Sequence, residues 1–196
     1  GGAVRGVRSD AEFILVVEKE AIFHRLSEDQ LWKQRPCVVL TGCGFPCVAA
    51  RAALRVLSDQ LPDAPILGLA DSNPYGLAVM LVYMGGSTRT VLEAGRHRVP
   101  RLTWIGLKGE HVEELPRDAL QPLSAADRTK ATAMLRHPFV EGIAAMREEL
   151  LSMLRRGTKC ELEAMYSKGF GFLADAIVLP AAASAAASHA RPAHTS

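Results

Sequence analysis

Apolar and polar positions along the chain fall into two alternating rhythms. Phe13-Ile14-Leu15-Val16-Val17 is an unbroken apolar run, mostly β-branched, of the length of a strand buried on both faces. It stops at Glu18-Lys19-Glu20, and Ala21, Ile22 and Leu26 continue with helical spacing. A polar break covers Ser27 to Arg35. Cys37-Val38-Val39-Leu40 predicts a second short buried strand, followed by the turn Thr41-Gly42-Cys43-Gly44-Phe45-Pro46 and a helix over Val48 to Leu61. Ile66 to Ala70 predicts a third strand, and Asp71-Ser72-Asn73-Pro74-Tyr75-Gly76 stands just past its end. A helix from Leu77 to Met84 and a fourth strand, Leu102 to Leu107, follow. Beyond Leu107 the pattern turns helical, over Ala125 to Leu135, Phe139 to Leu154 and Lys159 to Tyr166. Strands alternating with helices require crossover connections, and so predict an α/β fold with a parallel four-stranded sheet flanked by helices.

Composition narrows this picture. The 196 residues suit one domain, and 48% hydrophobic with 22% charged residues excludes disorder for the bulk of the chain. The organisation expected is an N-terminal extension over 1–12, a domain over 13–180 and a disordered Ala/Ser-rich tail over 181–196. Apolar runs are too short for a membrane span, so no membrane partner is expected. A secretory signal is not seen, and the chain begins with Gly1 rather than Met, as a processed or partial product would. Cys37, Cys43, Cys47 and Cys160 lack zinc-ligand spacing and read as reduced, mostly buried thiols of an intracellular protein.

In a parallel sheet, ligands gather at the carboxyl ends of the strands. There the first strand gives Glu18, the second the Gly42–Gly44 turn, and the third Asp71 and Asn73. If the first and third strands are neighbours, two carboxylates and an amide oxygen converge, a donor set suited to Mg²⁺ and hence to phosphoryl chemistry. On spacing alone a second reading stands beside it: a glutamate after a strand is also a solvated charge, and Asp-Ser-Asn-Pro is also turn and N-cap chemistry. The Gly42–Gly44 turn lacks the third glycine of a dinucleotide fingerprint, and neither a P-loop nor a GxSxG elbow occurs.

Net charge is only +2, so a nucleic-acid surface would have to be local. Between Ser87 and His111, Arg89, Arg96, Arg98, Arg101 and Lys108 face only Glu93 and Glu110. This stretch is expected to flank the metal rim and to contact a DNA backbone, with a solvated helix face as the equal alternative.

Taken together the motifs resemble a known family. Phe13 to Leu26, Leu40-Thr-Gly-Cys-Gly-Phe-Pro46, Asp71-Ser-Asn-Pro-Tyr-Gly76, Leu102 to Leu107 and Lys159-Cys-Glu-Leu-Glu-Ala-Met165 occur in the order of a Toprim domain. They are similar to that domain in the meiotic double-strand-break transesterase and in the A-type chain of type IIB topoisomerase (topoisomerase VI). The resemblance implies a Toprim-type sheet with additional C-terminal helices. It implies Mg²⁺ held by Glu18 and Asp71, with Asn73 at the position of a usual second aspartate. Lys19, Arg89, Arg96 and Arg98 are the candidate DNA contacts. It further implies double-stranded DNA, a homo- or heterodimeric arrangement, action in the nucleus and a topoisomerase VI B-like partner subunit. The family's nucleophilic tyrosine belongs to a preceding winged-helix domain, and Tyr75, Tyr83 and Tyr166 do not match its context, so no catalytic residue is assigned. A non-catalytic paralogue that binds DNA or a partner is the alternative, and a stand-alone Toprim nuclease or primase-like enzyme a third.

Overall fold

The computed structural model describes residues 6–85 and 96–189. Arg89 therefore lies outside the described residues. Four parallel strands, β1 (Phe13–Val17), β2 (Cys37–Thr41), β3 (Ile66–Leu69) and β4 (Leu102–Gly106), form one sheet in the order β2-β1-β3-β4. The first and third strands are neighbours, which meets the condition on which the convergence of Glu18 and Asp71 depends, with Val17 in register with Leu69.

The two-residue period of a strand explains why β1 is apolar throughout. Ile14 and Val16 enter one core with Ile66, Leu102 and Trp104. Phe13, Leu15 and Val17 enter the core on the opposite face with Leu67, Leu69 and Ile105. β2 is an edge strand and only half-buried along its length, in contrast to the expected buried strand.

Helices cover both faces. The first core packs against α3 (Val48–Gln60) and α4 (Pro74–Met84), then α6 (Ala125–Leu135), α7 (Pro138–Glu141) and α8 (Ala144–Arg156). The second packs against α1 (Glu20–Glu28), the short α2 (Leu31–Gln34) and α5 (Gly109–Glu113), and the C-terminal segments. In α4 every residue but Tyr75 is buried, as befits a helix apolar all round. The single helix expected over Phe139 to Leu154 is two: Pro138 opens α7, Gly142 closes it, and α8 begins at Ala144.

Lys159 is a strand residue rather than the start of a helix. A short ribbon, β5 (Gln121–Pro122) with β6 (Thr158–Lys159), captures it, and Cys160 exchanges two backbone hydrogen bonds with Ser72. A 3₁₀ stretch, Leu162–Lys168, and a π stretch, Leu173–Val178, follow. The chain then continues as α9 (Leu179–His189), with Ala182 buried in the second core. This corrects the disordered tail expected from Ala181 onward, as far as His189. Alanine is the strongest helix former, and low complexity there is helical rather than unstructured. Among the described residues no single helix is long and apolar enough to cross a membrane. Cys43 and Cys47 are exposed, in contrast to the mostly buried thiols expected, whereas burial pushes the Cys160 thiol up to about 11.

Candidate metal centre

Glu18 and Asp71 meet because β1 and β3 are hydrogen-bonded neighbours ending at the same level. The Glu18 N–H donates to the Leu69 carbonyl at 3.0 Å, and Glu18 Oε2 accepts the Asp71 N–H at 3.0 Å. Helix α4 starts against the same point. A Cβ on Gly76 would stand 2.5 Å from the Asp71 carbonyl oxygen and 3.0 Å from Glu18 Oε2, so only glycine permits this approach. The Gly42–Gly44 turn closes the other side, with the Gly44 N–H donating to the Glu18 carbonyl at 2.8 Å.

Both acids are held above their ordinary range. Burial, then the nearby Asp71 carboxylate, push Glu18 from 4.5 up to about 7. Asp71, only 4% exposed, accepts the Leu162 N–H on Oδ1 at 2.8 Å and faces the Lys19 ammonium with Oδ2 at 3.2 Å. Burial nevertheless outweighs these contacts and holds Asp71 above the ordinary carboxylate range. Protonation and binding of a cation are the two ways such a pair is relieved.

Asn73 takes the N-cap part, the second of the two readings its spacing allows. Its Oδ1 accepts the N–H groups of Tyr75 and Gly76 at 2.9 and 2.8 Å, capping α4 ahead of Pro74, and its Nδ2 points to Asp71 Oδ2 at 3.4 Å. The oxygen expected to join a metal shell is engaged by the cap.

Lys19 is not a free phosphate contact. Its ammonium lies 3.2 Å from Asp71, 3.2 Å from Glu161 and 2.7 Å from Glu163. Burial works against that charge, and the carboxylates of Glu163 and Asp71 more than offset it, holding the ammonium above its ordinary value. Glu161 and Glu163 are site residues that periodicity does not single out. They reach the rim because the Cys160–Ser72 bridge and the Leu162–Asp71 bond draw a distant segment across it. The only sequence signal for them is the likeness of the Lys159 to Met165 motif.

Most described cations of the basic stretch do not flank this centre. Arg96, Arg98 and Arg101 precede β4, at the amino end of a parallel sheet, whereas Glu18 and Asp71 follow their strands. At about 3.3 Å per residue the two ends are roughly 15 Å apart. Arg101 is a clamp: its guanidinium donates to the carbonyls of Ser58, Leu61, Pro62 and Ala64 and to Ser58 Oγ at 2.7 to 3.2 Å. Arg98 covers Gly85, which closes α4 with φ of 106°. Lys108 alone of the described cations in that stretch follows a strand, and it lies 3.9 Å from Glu110.

A family model for the Toprim domain shared by Spo11 and the topoisomerase 6 A-type chain (TOP6A-Spo11 Toprim) matches residues 13–181. Meiotic recombination protein SPO11-2 of Oryza sativa subsp. indica is 41% identical over 165 residues, covering 84% of this chain and 42% of that protein. The Arabidopsis thaliana protein of the same name is 40% identical over 167 residues, 85% of this chain and 43% of its own length. The A-type chain of DNA topoisomerase 6 from Arabidopsis thaliana is 35% identical over 179 residues, 90% and 42% of the two lengths. The chain thus spans less than half the length of these relatives. Four parallel strands, acids at their carboxyl ends and a match running through both cores place the chain in the TOP6A/Spo11 family, as its Toprim domain.

Proposed function

We propose that this chain is the metal-holding half of a centre that makes DNA double-strand breaks in meiotic recombination by topoisomerase-like transesterification. The observation that carries the reading is the convergence of half-buried Glu18 and buried Asp71 at one rim of the sheet, both held above the ordinary carboxylate range. Their oxygens fit Mg²⁺. Among the described residues no three His, Cys, Asp or Glu side chains are grouped to hold a metal by themselves; Glu18 and Asp71 would hold the ion together with water and the phosphate. Bound there, Mg²⁺ would neutralise charge on the phosphodiester oxygens.

The chain's own residues do the rest by position. Glu18 and Asp71 fix where the scissile phosphate sits, the Leu162 N–H holds Asp71 in place, and the Gly42–Gly44 turn holds the backbone of Glu18. A tyrosine from another segment or protomer gives up its phenolic proton and attacks the phosphorus; the bond from phosphorus to the 3′ oxygen breaks, that oxygen leaves as a 3′-hydroxyl, and the tyrosine stays joined to the 5′ phosphate. Among the tyrosines of this chain, Tyr83 is buried, Tyr166 rests against Phe170, and Tyr75 opens α4 with Lys130 over its ring. Double-stranded DNA, a second protomer, a nuclear setting and a topoisomerase VI B-like partner belong to this proposal; the relatives' names support its coarser part, meiotic recombination and DNA topoisomerase chemistry.

The test is a calorimetric titration of Mg²⁺ into the chain and into Glu18→Ala. Loss of one ligand of two is expected to weaken binding at least about tenfold; superimposable isotherms overturn the metal reading. A binding-only paralogue is the second reading, favoured by Asn73, which caps α4 where an acid would add a third charge. It predicts no protein–DNA adduct on double-stranded DNA from the full protein that contains this chain, whereas the transesterase reading predicts a covalent adduct in Mg²⁺.

A further inference from the structure

Lys19 sits between a buried acid and two accessible ones. Its side chain is 24% exposed and Asp71 5%, whereas Glu161 and Glu163 are 48% and 37% exposed. Water already solvates the outer pair. Asp71 is the acid that depends on the ammonium, because an unpaired charge in a dry site is costly. The shortest contact, however, is to Glu163 at 2.7 Å, against 3.2 Å to Asp71. Withdrawal from Asp71 therefore breaks one of three ion pairs and requires no new partner.

The outer acids are anchored independently of the lysine. They flank Leu162, whose N–H is bonded to Asp71 Oδ1, and they follow Cys160, which is paired with Ser72. Loss of the Lys19 charge leaves those backbone bonds in place. We propose that Lys19 is an exchangeable counter-cation: it neutralises Asp71 while no divalent ion is bound and is retained by Glu161 and Glu163 when one is. The segment carrying Glu161 and Glu163 thereby sets how readily Asp71 becomes free to ligate. This inference rests on the metal reading above and names the residues that tune that site. Lys19 and Glu163 are positioning residues, acting through Asp71.

A double-mutant cycle tests it, with Mg²⁺ binding read by calorimetry in the chain and in Lys19→Met, Glu163→Gln and the double variant. Lys19→Met is expected to bind more tightly, since nothing competes for Asp71. Glu163→Gln is expected to bind more weakly, since the ammonium then leans on Asp71. The distinctive result is coupling: in the Lys19→Met background the Glu163→Gln penalty shrinks by about five- to tenfold, as for residues in contact. Weaker binding by Lys19→Met overturns the proposal, because the lysine is then a support for Asp71. An undiminished Glu163→Gln penalty in the double variant also overturns it, because the glutamate then acts only as a distant charge. If Lys19→Met does not fold, Lys19→Gln takes its place in the same cycle with the same outcomes. Absence of Mg²⁺ binding in every protein, the unaltered chain included, removes both this inference and the metal reading. Glu18-dependent binding with an additive cycle removes this one alone.

Discussion

At the carboxyl end of the sheet Asp71, Glu161 and Glu163 gather around one ammonium, with Glu18 beside Asp71, whereas at the amino end Arg101 reaches four backbone carbonyls and a hydroxyl. The two ends differ in satisfaction more than in sign. At the amino end the cation is saturated by acceptors, and its role is to tie the end of α3 to the start of β3. At the carboxyl end the acids outnumber the donors, so that burial and mutual repulsion push Glu18 up to about 7. Surplus charge that the fold itself does not neutralise marks a place for a ligand; a fully bonded charge marks a joint.

The largest expected effect strikes the saturated end. Arg101→Ala removes five hydrogen bonds and should lower stability by about 3 kcal/mol, read as the urea midpoint. Mg²⁺ affinity should be unchanged; a parallel loss of Mg²⁺ binding would show that the two ends are not separable. Arg101→Lys should recover little, because one ammonium cannot match the guanidinium fork.

Next comes Gly76→Ala at the unsatisfied end. The added Cβ meets backbone 2.5 Å away, so a cost of about 2 kcal/mol is expected from overpacking. Here Mg²⁺ binding should fall along with thermal stability, and unaltered binding would mean that the packing of α4 on the rim is irrelevant to the site.

The smallest effect concerns an acid that is satisfied. Burial opposes ionisation of Asp127, but hydrogen bonds from Lys159 and Ser124 more than offset it and hold its carboxyl below the usual range. A depressed folded value means that the unfolded chain takes up the proton first, so Asp127 stabilises the fold above the ordinary value of 3.8 and that contribution is lost as pH falls through the lower folded value. Asp127→Asn should therefore cost about 1 kcal/mol at pH 7 and nothing near pH 2. A cost independent of pH, measured by denaturant titration across that range, would assign the residue to packing alone.

Much of this is legible in the amino-acid order. The unbroken apolar run of β1 announces burial on both faces, and the alternation of strand and helix patterns announces a parallel sheet. Glu18 and Asp71 stand out because a strand end is the one place where such a sheet offers side chains to a ligand. Arg96, Arg98 and Arg101 mislead because nearness in sequence is not nearness in space: residues before and after a parallel strand go to opposite ends of the sheet. The tail misleads because alanine repetition looks the same in a coil and in a helix. Asn73 is readable both as ligand and as cap, and only the hydrogen bonds to Tyr75 and Gly76 separate the two.

The linear order alone determined the strands, the burial of the first on both faces and the two candidate acids, because these depend on period-two patterning and on what directly follows a strand; that the acids are paired came from the sheet order. The tertiary structure alone decided which charges are answered. Lys19 finds Glu161 and Glu163 about 140 positions away because a two-residue bridge at Ser72 and Cys160 lays one segment over another. Periodicity carries no record of such a long-range contact: it comes from packing two distant stretches of backbone, and neither shows it alone.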